Sequence, residues 1–294
     1  MKHVLGNKKA IAIFLVPALL FYVGVMVIPA IWSFVLAFMD GTPIRGFEFT
    51  GFDNFIRLFS DPQARDALLF TLKYAVIITV GQVTLGYLLA LLYVFALRRS
   101  STFVRTLVFF PVVLPTVAIS LLFNRLFAIS PQEGPINSII QLFGQPAVDW
   151  FATGENAFVV IVIMDLWRSM GFFAILLFAG LIEIPEEILD SARMDGAGGP
   201  RLVWNIVLPM SLPVLMATII FSLNSSLKVF DSILALNNGG PGTATTPLNL
   251  LMYKTAFTYG DFGYGSTLAL LITVVCLAAT LLVFRSSRRD LTKG

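Results

Sequence analysis

The chain has 294 residues, of which 57% are hydrophobic and only 13% charged, and its mean hydropathy is +0.86. So little polar surface excludes a soluble globule of this length and points to an all-α integral membrane protein. The net charge of +3 and pI near 9.1 come from bases scattered between apolar runs without a basic stripe, which argues against a nucleic-acid partner.

After a short polar segment (1–9), a charge-free apolar run at about 10–39 is long enough to span a bilayer with tilt. It is too long for the apolar core of a signal peptide, contains Pro17 and Pro29, and lacks a clean small-residue cleavage site, so it reads as a retained first span. Segment 40–66 is mixed in charge and carries GFDNFIRLF at 51–59. Five more apolar runs follow at about 67–97, 103–127, 157–182, 202–228 and 265–284, each near or above the roughly 20 residues a spanning helix needs. Pro111 and Pro115 predict a kink in the third. Gly81 and Gly86 in the second run and Gly171 in the fourth predict close helix contacts.

Six spans place both termini on one side. Lys2, Lys8, Lys9, Arg98, Arg99, Arg193, Arg201, Arg285, Arg288, Arg289 and Lys293 all fall on that side, and by the positive-inside rule it is the cytoplasm. The opposite segments are poorer in bases: 128–156 has none and 231–262 has only Lys254, whereas 40–66 carries three, Arg45, Arg57 and Arg65, balanced by acids. The outer segments hold turn-rich phrases, PQEGPIN from 131 and NNGGPG at 237–242. A short tail, 285–294, closes the chain on the cytoplasmic side.

Between the fourth and fifth runs lies the polar passage 183–201, with Pro185 at a helix start and Glu186 and Glu187 in the first turn, where a helix N-terminus favours carboxylates. Ile188, Leu189 and Ala192 share a face, Asp190 and Arg193 form an i, i+3 pair, and Gly196, Gly198, Gly199 and Pro200 stop the helix. About ten residues rise about 15 Å, half of the hydrocarbon thickness, so this helix lies at the membrane surface.

Nothing in the chain looks catalytic or metal-binding. His3 is terminal, Cys276 lies inside an apolar run, and neither a metal motif nor a nucleophile elbow is present. No phosphate-cradling GxxxxGK[ST] loop occurs, so any ATP used must bind elsewhere. Charges inside a bilayer are costly and tend to face a bundle interior or an aqueous path. Asp165 and Arg168 stand three apart within the fourth run, near Ser169 and Phe172; they read equally as a structural pair or as a cavity wall suited to hydroxyls and a sugar ring. Ser222, Asn224 and Ser226 at the end of the fifth run read equally as interhelical glue or as a binding region.

The passage 183–201 closely resembles the EAA loop of ATP-binding-cassette (ABC) importer permeases, with Asp190, Ser191, Ala192, Asp195, Gly196 and Ala197 followed by Ile206, Leu208 and Pro209. Asp and Ser stand where that pattern has Glu and Ala, which keeps charge and small size. GFDNFIRLF, NNGGPG and YKTAFTYGDFGYGSTLAL from Tyr253 resemble the carbohydrate, maltose-permease-like branch, and the resemblance covers about 51–282. It implies a type I importer fold with six transmembrane helices, both termini cytoplasmic, in a bacterial inner or plasma membrane. It further implies that Glu187, Asp190, Ser191, Ala192, Asp195, Gly196, Ala197 and Gly198 couple to a cytoplasmic ATPase that carries ATP and magnesium, and that Ser222 and Ser226, with the fourth run, line a sugar path. The partners it implies are a second, non-identical permease, two ATPase subunits and an extracytoplasmic sugar-binding protein. One rival reading is an ion-coupled secondary transporter, which six spans without evident inverted halves and a docking helix argue against. A membrane-embedded enzyme is the other, and it lacks a catalytic constellation.

Overall fold

The computed structural model describes residues 8–97, 100–130 and 132–291. Lys2, Arg98, Arg99, Pro131 and Lys293 lie outside these, as do the side chains of Lys8, Arg288 and Arg289. The chain divides into two compact units, Met1–Asp61 with Met252–Leu271, and Pro62–Leu251 with Ile272–Gly294.

In the first unit the leading apolar run forms α1, Ile11–Leu36, since backbone groups in hydrocarbon must pair within the segment. Pro17 is accommodated inside it and a five-residue π stretch, Val23–Val27, precedes Pro29. An antiparallel hairpin follows that hydropathy did not announce: β1, Met39–Thr42, pairs with β2, Gly46–Phe49, with Asp40 opposite Glu48. The phrase GFDNFIRLF then folds as a separate short helix, α2, Asp53–Ser60, ahead of the second span.

In the second unit α3, Pro62–Ala96, is the second span. The third run is two helices, α4, Ser101–Val113, and α5, Thr116–Leu126, meeting at 93°, a sharper break than a kink. Pro111 stays inside α4, while Pro115 forces Leu114 into the extended region (ψ 143) and ends the helix there. Short α6, Pro135–Leu142, precedes α7, Gly154–Ile182, the fourth span, whose start is capped by the Thr153 hydroxyl accepting from the Asn156 N–H. Next come α8, Glu186–Met194, then α9, Pro200–Leu227, α10, Asp231–Asn237, and α11, Leu248–Tyr253, which begins in this unit. The last helix, α12, runs Phe262–Leu291, past the end of its apolar run. Among the described residues five helices are long and apolar enough to cross a membrane, or six when the bent α4 and α5 pair is counted as one span.

Helix α3 packs along α7 and α9, and α4 lies on α7. The approaches depend on glycine: a Cβ on Gly86 would stand 2.9 Å from the Phe173 Cβ, and one on Gly171 would meet the Val108 carbonyl. Two apolar cores result. One gathers Tyr74, Ile119, Phe123, Ile161 and Ile233. The other, at the cytoplasmic ends, gathers Ala90, Leu177, Leu181, Leu189, Ala192 and Leu202.

Candidate functional site: a surface helix and an intramembrane polar cluster

Helix α8 is nine residues long, about 13 Å, and lies between two spans on the cytoplasmic side. Pro185 stands at its N-cap, one position earlier than the first turn, and Glu186 and Glu187 occupy that turn. Leu189 and Ala192 are buried in the cytoplasmic core, which holds the helix down; Ile188 is exposed instead of sharing that face.

The stop is a Schellman motif. The Ala197 N–H donates to the Ala192 carbonyl at 2.9 Å and the Gly196 N–H to the Arg193 carbonyl at 3.0 Å, with Gly196 at φ 82. Ala197 then packs on the same core as Ala192. Three residues of the loop pattern, Ala192, Gly196 and Ala197, therefore have local roles: one seats the helix, one turns the chain, and one closes the end. Glu187, Asp190, Ser191, Asp195 and Gly198 are left exposed, together with Met194, an apolar tip that the sequence pattern did not single out. Asp190 and Arg193 pair at 2.7 Å on the surface. A cleft of about 560 Å³ opens beside them, lined among others by Tyr93, Ser101, Phe178 and Glu186.

Deeper in the bundle, the polar residues of three spans converge. The buried Asp165 carboxylate accepts from the Tyr74 hydroxyl at 2.6 Å, the Ser232 hydroxyl at 3.1 Å and Arg168 Nε at 3.4 Å. Gln82, from α3, donates to the Ser169 hydroxyl at 2.8 Å and accepts from the Ser222 hydroxyl at 2.6 Å. The Ser169 hydroxyl also donates to the Asp165 carbonyl, so Tyr74, Asp165, Ser169, Gln82 and Ser222 form one chain of hydrogen bonds across α3, α7 and α9.

Ser169, Ser222 and Ser226 are all buried within this chain's own packing. Asn224 points elsewhere, donating to the Ile220 carbonyl and to the Thr280 hydroxyl of α12. Arg168 keeps 30% of its side chain exposed, and half-buried Phe172 sits in an aromatic group with Phe173 and Phe221. Tyr74 and Gln82 were not singled out from the sequence, although a lone amide at position 82 in an apolar run was a readable signal. Among the described residues no cluster of His, Cys, Asp and Glu could hold a metal.

Spanning helices around an internal polar cluster, with a short capped helix seated on the cytoplasmic face, define a multi-pass membrane transport subunit. The family model described as "Binding-protein-dependent transport system inner membrane component" matches residues 82–289, and the chain belongs to this family of ABC importer permeases. It is 32% identical to the probable ABC transporter permease protein YurN of Bacillus subtilis, over 94% of this chain and 95% of that one. It is 31% identical to the multiple sugar-binding transport system permease protein MsmF of Streptococcus mutans, over 94% of each. A bacterial ABC transporter involved in the import of the acidic polysaccharide alginate contains a chain of the same fold, with a TM-score of 0.86, 23% identity and 98% coverage of both chains.

Proposed function

We propose that this permease forms half of the translocation pathway of an ATP-driven carbohydrate importer. Its six-span body is flanked by the cytoplasmic segments 1–9 and 285–294. A second, non-identical permease supplies the other half, and an extracytoplasmic binding protein delivers a neutral sugar to the cavity between them. Two ATPase subunits hold ATP and magnesium on the cytoplasmic side, so this chain hydrolyses nothing itself. The 31% identity over nearly the whole chain to a multiple sugar permease supports the substrate class, and the exposed, internally capped α8 supports the coupling role.

In this reading Glu187, Asp190, Ser191, Asp195, Gly196 and Gly198 meet the ATPase, with Ala192 and Ala197 holding the helix to the permease. When the ATPases close, α8 carries the movement to α7 and α9, and rigid-body rocking exposes the cavity to the outside. Arg168 and Phe172 mark the wall of the path, with Ser169, Ser222 and Ser226 buried behind it and Asn224 tying α9 to α12. Arg168 and Phe172 offer the guanidinium and aromatic surface that hydroxyls and a sugar face favour, and the serines set their framework.

The test is purification in mild detergent from the native membrane with mass identification of companions, followed by ATP-dependent sugar uptake in vesicles. A second six-span permease and a P-loop ATPase, with uptake stimulated by the binding protein, is the result this reading requires. Uptake by this chain alone, driven by an ion gradient without ATP, would replace it with a secondary transporter.

A further inference from the structure

The short helix α2 has two faces with different partners. Its polar side is clamped to the ends of two spans. Asn54 Nδ2 donates to the Ala37 carbonyl at 3.1 Å and to the Met39 carbonyl at 2.9 Å, where the chain leaves α1. Arg57 pairs with Asp261 at 2.6 Å and lies 3.9 Å over the ring of Tyr264, whose hydroxyl donates to Asp61 at 2.6 Å, where the chain enters α12. Asp61 also directly precedes Pro62, the first residue of α3. These anchors set α2 at the depth where apolar spans end and polar segments begin.

The opposite arc carries Phe52, Ile56 and Phe59, at i, i+4 and i+7, exposed by 67%, 66% and 90%. Phe38 meets Phe52 edge-on and Phe55 packs against both at a tilt, which holds that arc in place. Eight residues rise about 12 Å, too short to cross hydrocarbon. A helix with one apolar arc, one charged arc and little net hydrophobicity lies in the plane of a membrane interface.

We infer that α2 is an interfacial helix of the outer leaflet, with Phe52, Ile56 and Phe59 inserted at the boundary between headgroups and acyl chains. It fixes the height at which the permease rides in the bilayer. Lipid is the occupant because both clamps are span ends and the exposed Phe34 of α1 meets Phe38, which meets Phe52, so the apolar arc continues the exposed apolar surface of α1. The inference depends on the placement of the spans and not on the substrate.

The test uses a nitroxide at position 59. Cys276 is replaced by Ser, leaving no native cysteine, and Phe59→Cys is labelled in the full chain with the subunits that accompany it, in vesicles of phosphatidylethanolamine and phosphatidylglycerol. Collision with oxygen should exceed collision with a water-soluble nickel chelate at position 59, and the ratio should invert for the label at Asp53→Cys on the polar arc. Free access of the chelate at position 59 would place the face in water, and low collision with both reagents would place it against protein; either result overturns the inference.

Discussion

The Tyr74 hydroxyl of α3 donates to the Asp165 carboxylate of α7 across 2.6 Å, joining two spans through a group only 1% exposed. Asp165 receives three donors in all, so it organises the bundle and is not held for a single pair. Removing the tyrosine hydroxyl by Tyr74→Phe should cost about 1.5 kcal/mol, the worth of a hydrogen bond to a charged group. Asp165→Ala should cost about 3 kcal/mol or more, because Tyr74, Ser232 and Arg168 lose their acceptor together. Denaturation midpoints in detergent order the two variants, and equal midpoints would refute the central role of Asp165.

Gln82 bridges Ser169 and Ser222 from a third direction. Hydrogen bonds between spans are modest, about 0.6 kcal/mol on average and about 1.7 at most, since a freed serine turns back to its own helix. A double-mutant cycle of Gln82→Leu and Ser222→Ala should return a coupling energy in that range. A coupling of zero would mean the two side chains do not meet in the folded protein.

Glycine positions separate into tight and open ones. Gly171→Ala places a methyl against the Val108 carbonyl and must push α4 from α7, at about 1–3 kcal/mol. Gly24→Ala in α1 meets nothing within 4 Å and should be neutral or stabilising by up to about 1 kcal/mol through helix propensity. Yield of monodisperse protein and its thermal midpoint measure both; equal behaviour would contradict the close α4 and α7 contact.

In the loop that ends α8, the backbone decides which variant tests the proposed docking. Gly196 has φ 82, so any side chain there strains the helix stop itself. Gly198 meets nothing within 4 Å and has no such backbone demand, so Gly198→Phe should leave folding intact while uncoupling ATP hydrolysis from uptake. Normal uptake by Gly198→Phe would place that surface outside the docking contact.

The exposed Asp190 and Arg193 pair contributes at most about 1 kcal/mol, being on the surface. Arg193→Ala should therefore leave the thermal midpoint nearly unchanged, and a fall in ATP-driven uptake without unfolding would assign this side to the ATPase. A large loss of stability would show instead that the pair holds α8 in place.

Apolar runs were legible in the sequence because a lipid solvent leaves the backbone little choice but helix. The surface helix was legible because Pro185, the first-turn acids and Gly196 mark its ends by local chemistry. Hydropathy reports the length of a span but not which residues meet across it, so the convergence of Gln82 on Ser169 and Ser222 required the fold. Pro115 announced a disturbance in the third run, yet the 93° angle depends on where α4 and α5 find their packing partners. The hairpin at Asp40 and Glu48 was not legible because its strands are only four residues each, too short for the Phe47, Glu48, Phe49 alternation to stand out beside the long apolar runs.

That break between α4 and α5 also has a meaning for solvent. Pro115 carries no N–H, and the first turn of α5 starts with donors that no preceding helical carbonyl can reach. In hydrocarbon each such orphan costs several kcal/mol, so the corner cannot face lipid tails. It must be wetted, or covered by another chain's polar groups. Fast amide exchange at Thr116 and Val117 amid slow-exchanging spans would show water at the corner, and slow exchange there a covering chain.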